Sequence, residues 1–305
     1  MTGLSSILAD TSSVALVAGF AYAALRDLES REVADRLWQL LGGIGVTLGA
    51  VGYVGSGALP LVLWVVVGAF ALEHLLPWDD ALGERHAGKA VALELAAYAA
   101  VIVVVVVAAD RWGIGAAAVP VGVIAALASV LLARVLFELG VLYGGADAKA
   151  LIAVGVLVPV FATPLLVAPA VEAPLMRVLP FAVSVLTNAA LLSIAVPVAI
   201  ALRNVTRGEF TPARGFTMYT MDVDDLPHRF VWVRDRDLGE DTLEHDADTS
   251  EEDVRRRTEI AERLRAQGVR RVWVSPQLPF LVLMLAGTVV GFLAGNLLLD
   301  LFSAL

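Results

Sequence analysis

The chain has 305 residues, 58% of them hydrophobic, and a mean hydropathy of +0.78. This composition excludes an ordinary soluble enzyme, because the apolar runs are long enough to cross a bilayer as helices. The formal net charge is −9, and residues 235–253 account for it with ten acids and a single basic residue, Arg236. We expect this stretch to be a solvated, mobile acidic loop.

The absence of cysteine excludes disulfides, thiolate nucleophiles and Cys-based zinc sites. The four histidines are scattered along the chain without the spacing of metal ligands. We therefore expect no metal ion and no other cofactor.

Eight apolar runs are predicted to cross the membrane, at residues 10–26, 38–55, 59–76, 91–109, 115–137, 150–168, 178–202 and 278–302. Residues 1–9 contain no Lys or Arg, so we expect the first run to be a retained helix rather than a cleaved signal peptide. The predicted fold is an all-α polytopic membrane protein of about eight transmembrane helices. Its parts are a helical bundle (1–202), a small cytoplasmic α+β insertion (203–277) and a last transmembrane helix (278–305).

Basic residues set the predicted orientation. With the N-terminus outside, only Arg111 and Arg177 of the 22 Lys and Arg residues face outward. Long loops follow the positive-inside rule poorly, so the insertion is discounted. Seven basic residues still face inward: Arg26, Arg31, Arg36, Arg85, Lys89, Arg134 and Lys149. We predict a multi-pass protein of the cell membrane with both termini outside.

The insertion has the pattern of a small mixed domain. Residues 216–221 and 229–233 alternate as short strands do. After the acidic loop, Thr249 or Ser250 is predicted to cap a helix that runs to about Gln267 and stops at Gly268. Residues 269–274 are predicted to form a further strand that leads into the last span.

Several polar or small residues near the membrane have structural interpretations. Asn188 lies mid-span and is predicted to form an interhelical hydrogen bond. Two ion pairs are predicted at inner helix ends, namely Glu94–Lys89 and Glu138–Arg134. Two glycine pairs predict close helix packing, namely Gly45 with Gly49 and Gly291 with Gly295.

Two carboxylates stand out, because each lies where an apolar run meets a polar loop. Asp27 ends the first run, and Asp147 precedes the sixth. Four predicted spans separate them, and an even number of crossings returns the chain to the same face. Two acids at one depth on one face predict an aspartyl dyad that hydrolyses a peptide bond. The alternative is two ordinary helix-end acids.

Asp147 follows three residues without bulk, Gly144, Gly145 and Ala146. They leave room for another backbone or for an extended substrate. A helix that begins here would favour negative charge at Asp147 through its N-terminal amides. Lys149 adds a positive charge two residues on.

Three segments carry a resemblance to a known family: Arg26–Val33 (RDLESREV), Gly144–Lys149 (GGADAK) and Trp273–Phe280 (WVSPQLPF). The first resembles the Asp motif that follows the first helix of the type IV prepilin peptidases. The second, the most specific of the three, resembles their Gly-x-Gly-Asp motif. The third is similar to the archaeal preflagellin (prearchaellin) peptidase branch. The segments cover the ends and the middle of the chain.

The resemblance implies an aspartic endopeptidase at the cytoplasmic membrane face, with Asp27 and Asp147 as catalytic residues. Gly144, Gly145, Ala146 and Lys149 would support the motif or bind substrate. The implied partners are archaellin or type IV pilin-like precursors, each with a short basic leader before an apolar helix, and the lipid bilayer. No nucleic acid is expected to bind.

The sequence departs from the family pattern at two places. Ala146 stands at the second glycine of the motif, which keeps a small residue there. The two aspartates are 120 positions apart, farther than in the six-helix archaeal pattern, so we expect an inserted helical hairpin. Since the chain lacks cysteine, the zinc-binding region of many bacterial relatives is missing and N-methylation is not predicted.

Two other functions fit the same acids. A presenilin-like intramembrane protease also carries a Gly-x-Gly-Asp motif, but its acids lie within the spans. A secondary transporter would use the acids to bind protons or cations, and such proteins contain repeats with broken helices. The sequence shows no clear repeat.

Overall fold

The structure is a computed structural model, and it describes residues 2–75, 120–142, 144–160, 179–233 and 250–303. The predicted span at 91–109, the Glu94–Lys89 pair and residues 234–249 lie outside these ranges. The chain divides into two compact units. The first comprises Met1–Leu25, Val33–Ala189 and Leu281–Leu305, and the second comprises Arg26–Glu32 and Ala190–Phe280.

The described helices, in chain order, are α1 (Thr2–Glu29), α2 (Asp35–Tyr53), α3 (Ala58–His74), α4 (Val121–Glu138), α5 (Gly145–Leu157), α6 (Phe181–Ser193), α7 (Ala195–Thr206), α8 (Ser250–Ala266), α9 (Phe280–Ala294) and α10 (Leu297–Ser303). The strands are β1 (Tyr219–Asp222), β2 (Val231–Val233) and β3 (Arg271–Pro276), with a 3-10 helix at Val223–His228. The predicted helical class is confirmed, together with a small sheet in the insertion.

Three described helical segments are long and apolar enough to cross a membrane: Leu4–Glu29, Val121–Glu138 and Phe181–Thr206. The pair α9 and α10 meets the same standard as one segment bent by 50°. Helix α3 is apolar but shorter, at 17 residues. In length and composition these helices are consistent with a membrane protein.

Helix α5 differs from the predicted span at 150–168. It begins earlier, at Gly145, and ends at Leu157. Val158 leaves the helical conformation with φ −134° and ψ 76°. The reason is Pro159, whose ring disfavours a helical residue before it and which has no N–H to donate. Val160 then forms an isolated antiparallel bridge with Pro180.

Helix α5 lies at the centre of the first unit. Every residue from Ala148 to Leu157 is buried, and the helix packs against α2, α3 and α4. Small residues allow the close approach. A Cβ on Gly45 of α2 would lie 2.8 Å from the carbonyl carbon of Val156, so the packing predicted at Gly45 is confirmed. Gly155 in turn packs directly on Ser129 of α4.

The break between α9 and α10 is held by Asn188, which is fully buried. Its Nδ2 donates to the carbonyl oxygen of Gly295 (2.8 Å), and its Oδ1 accepts from the amide of Leu297 (3.0 Å). The interhelical hydrogen bond predicted for Asn188 is therefore confirmed. Gly295 lies between the two helices with φ +84° rather than on the face of α9, so it does not form a helical glycine pair with Gly291. Gly291 does contact a neighbour, the ring of Phe181.

We expect Asn188→Leu to lower the free energy of unfolding by about 2–4 kcal/mol, because it leaves two buried backbone groups without their partner. Thermal unfolding in detergent measures the change. Thr47→Val is the matched control, since the Thr47 hydroxyl is exposed and bonds only locally to Gly43. Equal melting temperatures for the two variants would contradict the role given to Asn188.

The second unit contains a three-stranded antiparallel sheet in the order β1-β3-β2. Its core consists of buried residues from the sheet, the 3-10 helix and α8: Met221, Val223, Leu226, Val231, Ala261, Leu264, Val272 and Val274. The predicted strands and the predicted helix are confirmed. Helix α8 ends just before Gly268, which adopts φ +77°. Thr249, one of the two predicted capping residues, lies outside the described residues.

Glu209 connects the segment after α7 to this sheet. Its carboxylate accepts hydrogen bonds from the Thr220 hydroxyl (2.6 Å) and from Arg271 (2.6 Å). The bond from Thr220, more than the charge of Arg271, lowers the pKa of Glu209 below its ordinary value. Because the folded-state pKa is lowered, this network stabilises the unit at neutral pH and the contribution is lost as the pH falls through that pKa.

Candidate active site

Asp147 lies in the first turn of α5. Gly144 precedes the helix in an extended conformation, and its carbonyl accepts from the amide of Asp147 at 3.0 Å. The first amides of a helix have no partner within it, so a carboxylate here experiences a favourable field. The apolar run was predicted from residue 150, and the helix begins earlier, at Gly145, so that Asp147 stands in its first turn.

The small residues before Asp147 do not all serve the same purpose. A Cβ on Gly144 would lie 3.0 Å from Oδ2 of Asp147, which is tighter than an ordinary contact. A Cβ on Gly145 would meet no described residue within 4 Å. Among the described residues, therefore, no other backbone approaches Gly145, and approach of an extended substrate there stays a prediction. Gly144 is the residue whose missing side chain makes room for the carboxylate.

We predict that Gly144→Ala impairs the function of Asp147 whereas Gly145→Ala does not. The backbone of Gly144 has φ −91°, which alanine adopts without strain, so the effect would come from displacement of the carboxylate alone. A displacement of a few tenths of an ångström is expected to lower the cleavage rate roughly tenfold. Gly145→Ala should keep the rate. Equal rates for both variants would contradict this explanation of the motif.

Lys149 is almost fully buried and forms an ion pair with Asp35, the first residue of α2, at 2.6 Å between Nζ and Oδ1. Residues two apart on a helix do not face each other, so Lys149 and Asp147 point to different sides of α5. The pair joins the start of α5 to the start of α2. The ion pair therefore fixes the start of the helix that carries Asp147.

Sequence reasoning identified Lys149 but missed Asp35. The signal was present, because a lysine at the start of an apolar run requires a carboxylate partner at a similar depth. Asp35 stands at the beginning of the second apolar run and satisfies that condition. The predicted pair of Glu138 with Arg134 is confirmed at 2.6 Å.

Asp27 lies in the last turn of α1 with its side chain only 13% exposed. The carboxylate is therefore mostly shielded from solvent. Nη1 of Arg31 lies 3.5 Å from its Oδ1, at the outer limit of a hydrogen bond. Arg31 follows the helix with φ +61°, a conformation that residues other than Gly and Asn adopt at a cost.

The predicted site residues fall into two groups. Gly144, Gly145, Ala146, Asp147 and Lys149 lie together at the start of α5 in the first unit. Asp27 belongs to the second unit. Across residues 2–75, 120–142, 144–160, 179–233 and 250–303, no group of three or more His, Asp and Glu residues has the geometry of a metal site.

In comparisons with known proteins, neither a protein-family model nor a curated protein matches this chain. The resemblance to the prepilin and preflagellin peptidases therefore rests on its three motifs, and the function is a proposal.

Proposed function

We propose that the chain is a membrane-embedded aspartic endopeptidase of the prepilin and preflagellin peptidase type. It removes short basic leader peptides from archaellin or type IV pilin-like precursors. The proposal is carried by the placement of the two acids, Asp27 in the last turn of α1 and Asp147 in the first turn of α5. Acids at helix ends support this type over a presenilin-like protease, whose acids lie within the spans.

In this mechanism, one aspartate removes a proton from a water molecule that attacks the scissile carbonyl. The other aspartate, protonated, donates its proton to the carbonyl oxygen. When the C–N bond breaks, the first aspartate passes the proton it took from water to the departing amine, and the second takes its proton back from the tetrahedral intermediate. Two carboxyl groups a few ångströms apart cannot both ionise at low cost, so they share one proton and titrate as a pair. Either Asp27 or Asp147 can take either role.

The proposed substrate matches the proposed membrane arrangement. Eight spans with both termini outside place Asp27, Asp147 and most basic residues on the cytoplasmic side. A precursor whose apolar helix lies in the bilayer would present its leader junction at that same face. Cleavage there needs no extraction of the substrate from the membrane.

A proton- or cation-coupled transporter is the second candidate, because the bent pair of α9 and α10 resembles the broken helices of such proteins. The polar groups at this break satisfy one another, however. Asn188 bonds to Gly295 and Leu297, and Oδ1 of Asn296 accepts from the amides of Leu298 and Leu299 at 3.1 Å. The break is thus accounted for as a structural feature.

The deciding experiment places the purified protein in phospholipid vesicles with a precursor that carries a basic leader and an apolar helix. Mass spectrometry should detect one product, cut at the leader junction. Cells that lack the protein should accumulate uncleaved precursor. An intact precursor combined with proton or cation flux in the same vesicles would favour the transporter instead.

A further inference from the structure

Arg31 is the residue whose surroundings the proposed chemistry does not explain. It occupies the left-handed region right after α1, where Gly or Asn usually ends a helix. Its Nε is buried and has no hydrogen-bond partner among the described residues. Two unfavourable features at one residue indicate that other contacts hold it in place.

Those contacts come from the sheet of the second unit. Nη2 of Arg31 donates to the backbone carbonyl of Gln277 at 2.8 Å. Its guanidinium carbon lies 5.0 Å from the centre of the Phe230 ring, within the range of a cation–π interaction. Both distances join residues far apart in the sequence, so the loop after α1 is tied to a tertiary structure.

Phe230 and Gln277 are themselves fixed by strand pairing. The amide of Gln277 donates to the carbonyl of Phe230 at 3.0 Å, next to the paired residues Val231 and Pro276. The buried Arg257 of α8 also places its guanidinium 5.2 Å from the Phe230 ring. The end of the β2–β3 pair and α8 therefore form the binding site for the Arg31 side chain.

We propose that Arg31 is a positioning residue that anchors the Asp27 turn to this binding site. This inference rests on the proposed peptidase function. Asp27 lies one helical turn before Arg31, and the direct contact between them is long, at 3.5 Å. Arg31 therefore acts mainly by holding the backbone that carries Asp27. The insertion is on this basis part of the catalytic scaffold rather than an appendage.

Arg31→Asn tests the inference, because asparagine tolerates the left-handed backbone but lacks the guanidinium. We expect kcat to fall roughly 10- to 100-fold, with KM changed little, because a displaced catalytic group costs rate rather than affinity. Amide hydrogen exchange across residues 27–33 should become faster. Phe230→Leu should change both quantities in the same direction.

Two matched controls lie beside these positions. Arg26 pairs with Glu29 on the exposed side of the same helix end, and Trp232 is the exposed aromatic residue of β2. Arg26→Gln and Trp232→Leu should keep both kcat and the exchange rates. If amide hydrogen exchange across residues 27–33 is unchanged in Arg31→Asn, Arg31 does not anchor the Asp27 turn. If exchange is faster but kcat stays at the wild-type value, Arg31 anchors the turn without positioning Asp27 for catalysis. A wild-type protein that cleaves no precursor would reject the proposed function alone, since the exchange measurement needs no activity.

Discussion

Cleavage of the precursor is expected to fall by roughly three orders of magnitude or more when either Asp27 or Asp147 is replaced by Asn. Asparagine keeps the shape of the side chain but cannot take up and release the required proton. Single-turnover cleavage in vesicles, corrected for the amount of folded protein, measures the loss. Because both aspartates are needed, the two single variants and the double variant should be about equally inactive.

Two other acids at helix ends provide controls for this comparison. Glu29 lies in the last turn of α1, and Glu138 is the last residue of α4. Both are exposed, and each pairs with an arginine on its own helix. Glu29→Gln and Glu138→Gln should cleave at the wild-type rate. Substantial cleavage by Asp27→Asn or by Asp147→Asn would remove that residue from the proposed dyad.

Asp35→Asn is expected to lower the free energy of unfolding by about 3 kcal/mol, because it leaves Lys149 without its carboxylate at 2.6 Å. The lysine side chain is 7% exposed and that of Asp35 is 33% exposed. The expected loss of stability therefore lies at the lower end of the range for breaking a buried ion pair. Denaturation in detergent measures the change. The exposed pair of Arg26 and Glu29 is the comparison, and Glu29→Gln should change stability by less than about 0.5 kcal/mol.

Replacing both Asp35 and Lys149 separates the contribution of their charges to stability from the contribution of their packing. Asp35→Leu combined with Lys149→Met removes both charges and keeps side chains that fill the space. We expect this double variant to recover most of the lost stability, since apolar residues often replace a buried ion pair without cost. If the double variant is as unstable as Asp35→Asn, Lys149 contributes through contacts other than its pair with Asp35.

The sequence predicted most of what local patterns determine. The strands of the insertion follow from alternation, and the end of α8 at Gly268 follows from glycine. The end of α5 could have been predicted too, because Pro159 follows Val158 directly. The sequence did not single out Gly144, because a run of small residues does not show which of them faces the carboxylate.

Other features depend on pairs that are distant in the chain. Lys149 and Asp35 are 114 residues apart, and Arg31 and Gln277 are 246 residues apart. No periodicity links such positions, so the sequence can show that a partner is required, whereas the folded chain shows which residue it is. A buried lysine requires some acid nearby, but several acids after α1 fit that requirement. The left-handed conformation of Arg31 had no signal in the sequence, since glycine is the residue that normally marks it.

The proximity of the two aspartates is the most direct test of the proposed dyad. The chain has no cysteine, so Asp27→Cys combined with Asp147→Cys introduces the only two thiols. A bifunctional thiol reagent with a reach of roughly 5 Å should link them, since two carboxyl groups that share a proton must have their side-chain ends within a few ångströms of each other. A dyad predicts a linked peptide in the membrane-bound double variant and none in either single variant. If both thiols react singly with the reagent and no linked peptide forms, the two residues do not share one site.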